Sequence, residues 1–166
     1  MINPVEICFY ISALVALGST FMVITGTQPM HSLLYLVVSL LAVAAIFFTL
    51  GAPFAGALEV IVYAGAIMVL FIFVVMMLNL GEAVVRQEKQ WLTPKAWIGP
   101  GILSLILLGQ LFAVIDSGPL HAAGLREISP KMVGIALYGP YLLAVELASM
   151  LLLGALVAAY HLGKHD

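Results

Sequence analysis

From Val60 to Leu78 the chain reads VIVYAGAIMVLFIFVVMML, without one charged residue. A run of that length crosses the hydrocarbon of a bilayer as a helix, which needs about 20 apolar residues. It is apolar on every side, so it is not the inward stripe of a soluble helix. Three features interrupt it: Glu59 just ahead, Tyr63 one turn on, and the small patch Ala64-Gly65-Ala66. A spacing of four predicts that the Glu59 carboxyl and the Tyr63 hydroxyl lie on one side of the helix. A simple anchor requires neither an acid nor a glycine there, so this helix is expected to have a task beyond spanning.

The composition of the whole chain points the same way. Hydrophobic residues make up 64% of the 166 and charged residues 8%. A soluble domain carries about 25% charged residues. No basic stripe is available for phosphates, so nucleic acid is not an expected partner. The single cysteine, Cys8, cannot form an intramolecular disulfide and reads as a buried, inert thiol. Met1-Ile-Asn-Pro-Val-Glu has no positive n-region, so the first apolar run is expected to stay as a helix.

The pattern predicts an all-α, polytopic integral membrane protein: one membrane domain, 1–166, with five transmembrane helices. The expected spans are about 4–25, 30–50, 54–80, 97–115 and 140–162, with a short interfacial helix over 130–138. Only Gly51-Ala52-Pro53 separates spans two and three, which makes them antiparallel neighbours. Pro100 is expected in the first turn of span four, where a missing backbone donor is tolerated. Ser129-Pro130 reads as an N-cap and first helical residue, and Gly139-Pro140 as a stop and restart. One face carries Arg86, Lys89, Lys95 and Lys164, and the other only Arg126 and Lys131. That bias puts the N-terminus outside and the C-terminus in the cytoplasm.

Two carboxylates fall within spans, Glu59 in the third and Glu146 in the fifth. Each stands about 8–9 Å along its helix from the outer start, at about 1.5 Å per residue. Similar depth allows one polar cluster if the two helices are neighbours. A carboxyl in low dielectric can pass between charged and neutral forms, which suits proton handling. The plainer reading puts both at headgroup level or against a partner subunit. No lysine or arginine lies inside a predicted span, so the chain could supply part of a proton path and not a whole one. Ala64-Gly65-Ala66 suits close approach of another helix, and also a π-bulge, a one-residue widening found at functional sites. His161 and His165 are four apart near the chain's end and read as interfacial polar surface, as does His31 at the head of span two. No phosphate loop, CxxC or nucleophile elbow occurs, and no metal site is expected.

The block GALEVIVYAGAIMVLFIFVVMMLNL (56–80) closely resembles the third transmembrane helix of the subunit J family of bacterial respiratory complex I. That family is equivalent to mitochondrial NADH dehydrogenase subunit 6. HSLLYLVVSLLAVAAIFFTLGAPFAGA (31–57), QEKQWLTPKAWIGP (87–100) and GPYLLAVELASMLLLGALVAAYHLG (139–163) agree in order and spacing. The resemblance implies a membrane-arm subunit of proton-pumping NADH:quinone oxidoreductase in the bacterial inner membrane. It implies no cofactor in this chain, with FMN, iron–sulfur clusters and quinone held by partner subunits. It also implies a π-bulge around Tyr63 to Gly65 whose conversion to a regular helix opens or closes a water chain. Carried over, Glu59, Tyr63 and Gly65 are coupling positions, Met68 and Val69 apolar gate residues, and Glu146 a further member of the path. Two other classes remain open at this point: a small subunit of a multi-subunit cation/proton antiporter, and a passive spacer between larger membrane subunits.

Overall fold

A computed structural model describes residues 4–78, 94–116 and 127–163. Among them the chain is helical, with no strand. Helix α1 spans Pro4–Thr25 and α2 Pro29–Thr49; α3 (Pro53–Leu58) runs through a π segment, Glu59–Ile67, into α4 (Met68–Leu78). Then follow α5 (Pro94–Asp116), α6 (Pro130–Tyr138) and α7 (Leu142–Gly163). Five of the resulting rods are long and apolar enough to cross a membrane: Pro4–Thr25, Pro29–Thr49, Pro53–Met77, Pro94–Ala113 and Leu142–Gly163. Arg86, Lys89, Arg126 and Lys164, used above for orientation, and His165 lie outside the described residues.

Proline sets most of the starts. Pro29, Pro53 and Pro130 each occupy the first turn of a helix, where no intrahelical partner for the missing N–H exists. Between α2 and α3 the chain reverses at Gly51, whose φ of 76° is one that a side chain rarely tolerates.

The chain divides into two compact units, Met1–Glu127 and Ile128–Asp166. In the first, α2 is central and packs against α1, α3, the π segment and α5. Lipid gives little hydrophobic reward for joining helices, so close fit and hydrogen bonds must hold them. On α1 the buried residues Ser12, Val15 and Ser19 recur at helical spacing and form its inner stripe. Val15, Val38 and Ala42 make the tightest cluster, with Ala16, Leu103 and Leu107 against it. Hydroxyls stitch the same seam. Thr20 Oγ1 and Ser39 Oγ stand 2.9 Å apart, and Ser39 Oγ also donates to the Ala16 carbonyl at 3.3 Å. Gln110 joins α5 to α1, accepting from Ser12 Oγ at 3.0 Å and donating to the Cys8 carbonyl at 3.3 Å.

In the second unit, Ser129 caps α6, its Oγ accepting the Met132 N–H at 3.4 Å. Helix α6 ends at Tyr138, and α7 begins at Leu142 after a turn in which the Leu142 N–H bonds the Gly139 carbonyl at 3.3 Å.

One expectation needs correction. Helix α5 begins at Pro94 rather than near Trp97, so Pro100 sits inside the helix and not in its first turn. A proline there removes the donor that would serve the carbonyl four residues back, that of Ala96. His31 Nε2 lies 3.0 Å from that oxygen and supplies the missing N–H. The imidazole is steadied edge-on by Tyr35, with ring centroids 5.1 Å apart. A Cβ on Gly99 would collide with the Tyr35 hydroxyl, so glycine is needed where α5 crosses α2. Replacing His31 with Leu should therefore destabilise the α2–α5 contact by about 1–3 kcal/mol, the range for orphaning a buried acceptor. Pro100→Ala in the same chain, which restores the backbone donor, should recover most of that loss. Thermal stability of the purified assembly measures both; an equal loss in the single and double variants would contradict the pairing.

Candidate functional site

The site is built where the third span leaves α2. Helix α3 is short, and Gly56 in its middle is buried. A Cβ there would stand 3.0 Å from both the Ala44 carbonyl and a Phe48 ring carbon, so the two backbones touch at this point. Three residues later the hydrogen-bond register changes. The Glu59 N–H still bonds within ordinary reach, to the carbonyls of Ala55 and Gly56. At the far end the Met68 N–H is shared between Gly65 and Tyr63, the latter five residues back. The nine residues of the π segment run from Glu59 to Ile67, and none of them is buried. The expected one-turn bulge at 63–65 is thus part of a longer widened stretch.

Gly65 sits inside that stretch, and a Cβ on it would be 3.1 Å from the Val60 carbonyl, five residues back. That approach is tighter than most side chains make, so glycine eases the wide register here. An i→i−5 pattern still pairs backbone groups, as hydrocarbon demands, but it pairs them with different carbonyls from the α pattern. An exchange of acceptors between the two patterns would therefore leave no lasting loss of bonds.

Glu59 and Tyr63 come together as their spacing suggests. Both line a cleft of about 430 Å³ whose other walls are Phe47, Ala55, Leu58 and Val62. Glu59 is half-buried, while Tyr63 is 52% exposed. No described residue forms an ion pair with Glu59. The cleft thus offers one carboxyl and one hydroxyl between apolar walls. Such a pair can bind a water or pass a proton if a neighbouring chain closes the open side.

Met68 and Val69 separate. Met68 is 3% exposed and faces the rest of the first unit, whereas Val69 is 61% exposed. Adjacent residues on a helix point about 100° apart, so the two cannot share one surface. Glu146 lies on α7 in the second unit, one turn past Leu142, and is exposed. Two contributors have no counterpart among the sequence-based expectations: Phe47 walls the cleft from α2, and Gln110 ties α5 to α1. His31, expected as interfacial polar surface, closes the gap at Pro100. Gln110 carried a usable signal, an amide inside an otherwise apolar span; Phe47 carried none.

Fold and site together define a five-span helical membrane protein whose third span is widened beside an acid and a phenol. The chain belongs to the NADH-ubiquinone/plastoquinone oxidoreductase chain 6 family, whose profile matches residues 19–162. It is 64% identical over 162 residues to NADH-quinone oxidoreductase subunit J of Pseudomonas aeruginosa, covering 97% of this chain and 98% of the relative. Identity to the Escherichia coli protein of the same name is 59% over 162 residues, covering 97% of this chain and 88% of the relative. The corresponding protein of Buchnera aphidicola from Schizaphis graminum is 53% identical over 159 residues, with 96% and 98% covered.

The crowding at Gly65 leads to a direct test. Gly65→Ala adds a Cβ against the Val60 carbonyl and favours the α-helix by about 1 kcal/mol. A structure of the variant in its native membrane assembly should show the segment's N–H groups re-paired with carbonyls four residues back. An unaltered nine-residue π segment in the variant would contradict the role given to glycine.

Proposed function

We propose that this chain is a membrane-arm subunit of proton-pumping NADH:quinone oxidoreductase in the bacterial inner membrane, and that its third span couples quinone reduction to proton movement. The carrying observation is the π segment Glu59–Ile67 beside the cleft that holds Glu59 and Tyr63. Family membership supports the assembly, and the named relatives are subunits of that oxidoreductase. FMN, the iron–sulfur clusters and quinone belong to partner subunits. The N-terminus lies outside and the C-terminus in the cytoplasm, as the basic residues indicate.

Events at the quinone site of a neighbouring subunit bias the segment between the wide register and a regular helix. Removing one inserted residue rotates everything beyond it by about 100°. That turn carries Met68 and Val69 around the helix axis. In one register their side chains interrupt a file of water, and in the other the file runs past Glu59 and Tyr63. Glu59 accepts and releases the proton, Tyr63 holds water beside it, and Gly65 keeps the change of register shallow. Glu146, on α7 of the second unit, is proposed as a further carboxyl for proton handling.

Gly65→Leu should hold the segment in the α register. In membranes carrying the variant complex, proton pumping should fall by roughly three- to tenfold, the effect of about 0.7–1.4 kcal/mol on the register equilibrium. NADH oxidation by the soluble arm with an artificial acceptor should be unchanged. Glu59→Gln combined with Tyr63→Phe should also lower pumping. Normal pumping in both variants would leave the chain a spacer between larger subunits.

A further inference from the structure

Below the π segment, α4 turns one stripe toward the rest of its unit: Met68 is buried, and Ile72 and Val75 are partly buried, at the i, i+4, i+7 spacing of a helix face. The nearest buried residue above it on the same span is Gly56. Three turns of regular helix cover about 11 residues. Counted from Gly56, they end on Ile67 and not on Met68. The inward stripe is thus displaced by one residue, the insertion that a π widening introduces. In a regular helix the same three seats would hold Ile67, Phe71 and Val74. All three are now exposed, at 52%, 50% and 42%.

We propose that the span from Ile67 through α4 carries two adjacent apolar stripes, either of which fits the seat against α2, and that the occupant of the top position, Met68 or Ile67, sets the register. The inference rests on the two-register reading above. Each seat has an apolar occupant in either register: Met68 or Ile67, Ile72 or Phe71, Val75 or Val74. No polar residue on Met68–Met77 marks a face that must stay outside. A helix with a single apolar stripe would lock, because turning it by one residue would bury polar groups. This one can turn and lose little burial, which is the near-balance a two-state element needs. Met68 and Ile67 are therefore positioning residues that act through the register.

Truncating either occupant leaves a cavity in one register only. In the assembled complex, Met68→Ala should lower the ratio of π to α particles seen by electron microscopy by about tenfold or more. Ile67→Ala should raise it by a similar factor. Met68→Leu, which conserves volume, should leave the ratio near wild type and shows that the span tolerates change at this position. Shifts of the same sign in the two alanine variants, or no shift in either, would overturn the seat. Loss of pumping with an unmoved ratio would also overturn it while leaving the coupling reading standing. Opposed shifts with unchanged pumping would support the seat and overturn the coupling reading instead.

Discussion

Inside hydrocarbon every backbone N–H and C=O must find a partner within the protein, and that demand organises this chain. It explains why the described residues are helical, and why the one departure from regular winding is a π segment rather than a break. A π turn keeps its hydrogen bonds while moving them from one carbonyl to the next. The third span can thus hold an alternative geometry at Glu59–Ile67 and stay satisfied in the membrane. The same demand acts at Pro100, where the imidazole of His31 replaces a donor that the helix lacks. In both places an irregularity in the ladder is accommodated by a specific local device.

Packing fixes the surroundings of the irregular segment. Helix α2 is held to α1 by small residues and hydroxyls and to α5 by the His31 bond, with a glycine at the α5 crossing. Helix α3 meets it backbone to backbone at Gly56. The third span is therefore seated at Gly56 and again at Met68, and residues 57–67 between those seats have none buried. Loosely held residues between two fixed points are where a change of winding perturbs the least packing. The acid and the phenol lie in that interval, so a change of register there acts directly on their cleft.

Much of the architecture was legible because its causes are local. Long uncharged runs announce spans, and Pro130 after Ser129 announces where a helix begins. Ser129 announced its cap by residue type alone. Ala64-Gly65-Ala66 hinted at a bulge, since small residues ease the wide register, but could not give its length. What sequence did not reveal depends on neighbours. Met68 and Val69, grouped together in the sequence, differ in burial because adjacent residues on a helix point about 100° apart, and which of the two is buried depends on the winding above them. Pro100 was misplaced because the start of α5 was judged from Trp97, an interfacial residue, and the helix extends a turn further to Pro94. The partnership of His31 with Ala96 spans 65 residues and has no local signature.

The central claim is that the third span changes its winding as the assembly works. The most direct test is the backbone of residues 56–75, with its ordered waters, in the intact oxidoreductase captured both at rest and during NADH-driven turnover. The account predicts two populations, one with bonds five residues back across Glu59–Ile67 and one with bonds four residues back. It further predicts that continuous water beside Glu59 and Tyr63 occurs in only one of them. A single winding in both conditions, with the same waters throughout, would contradict it.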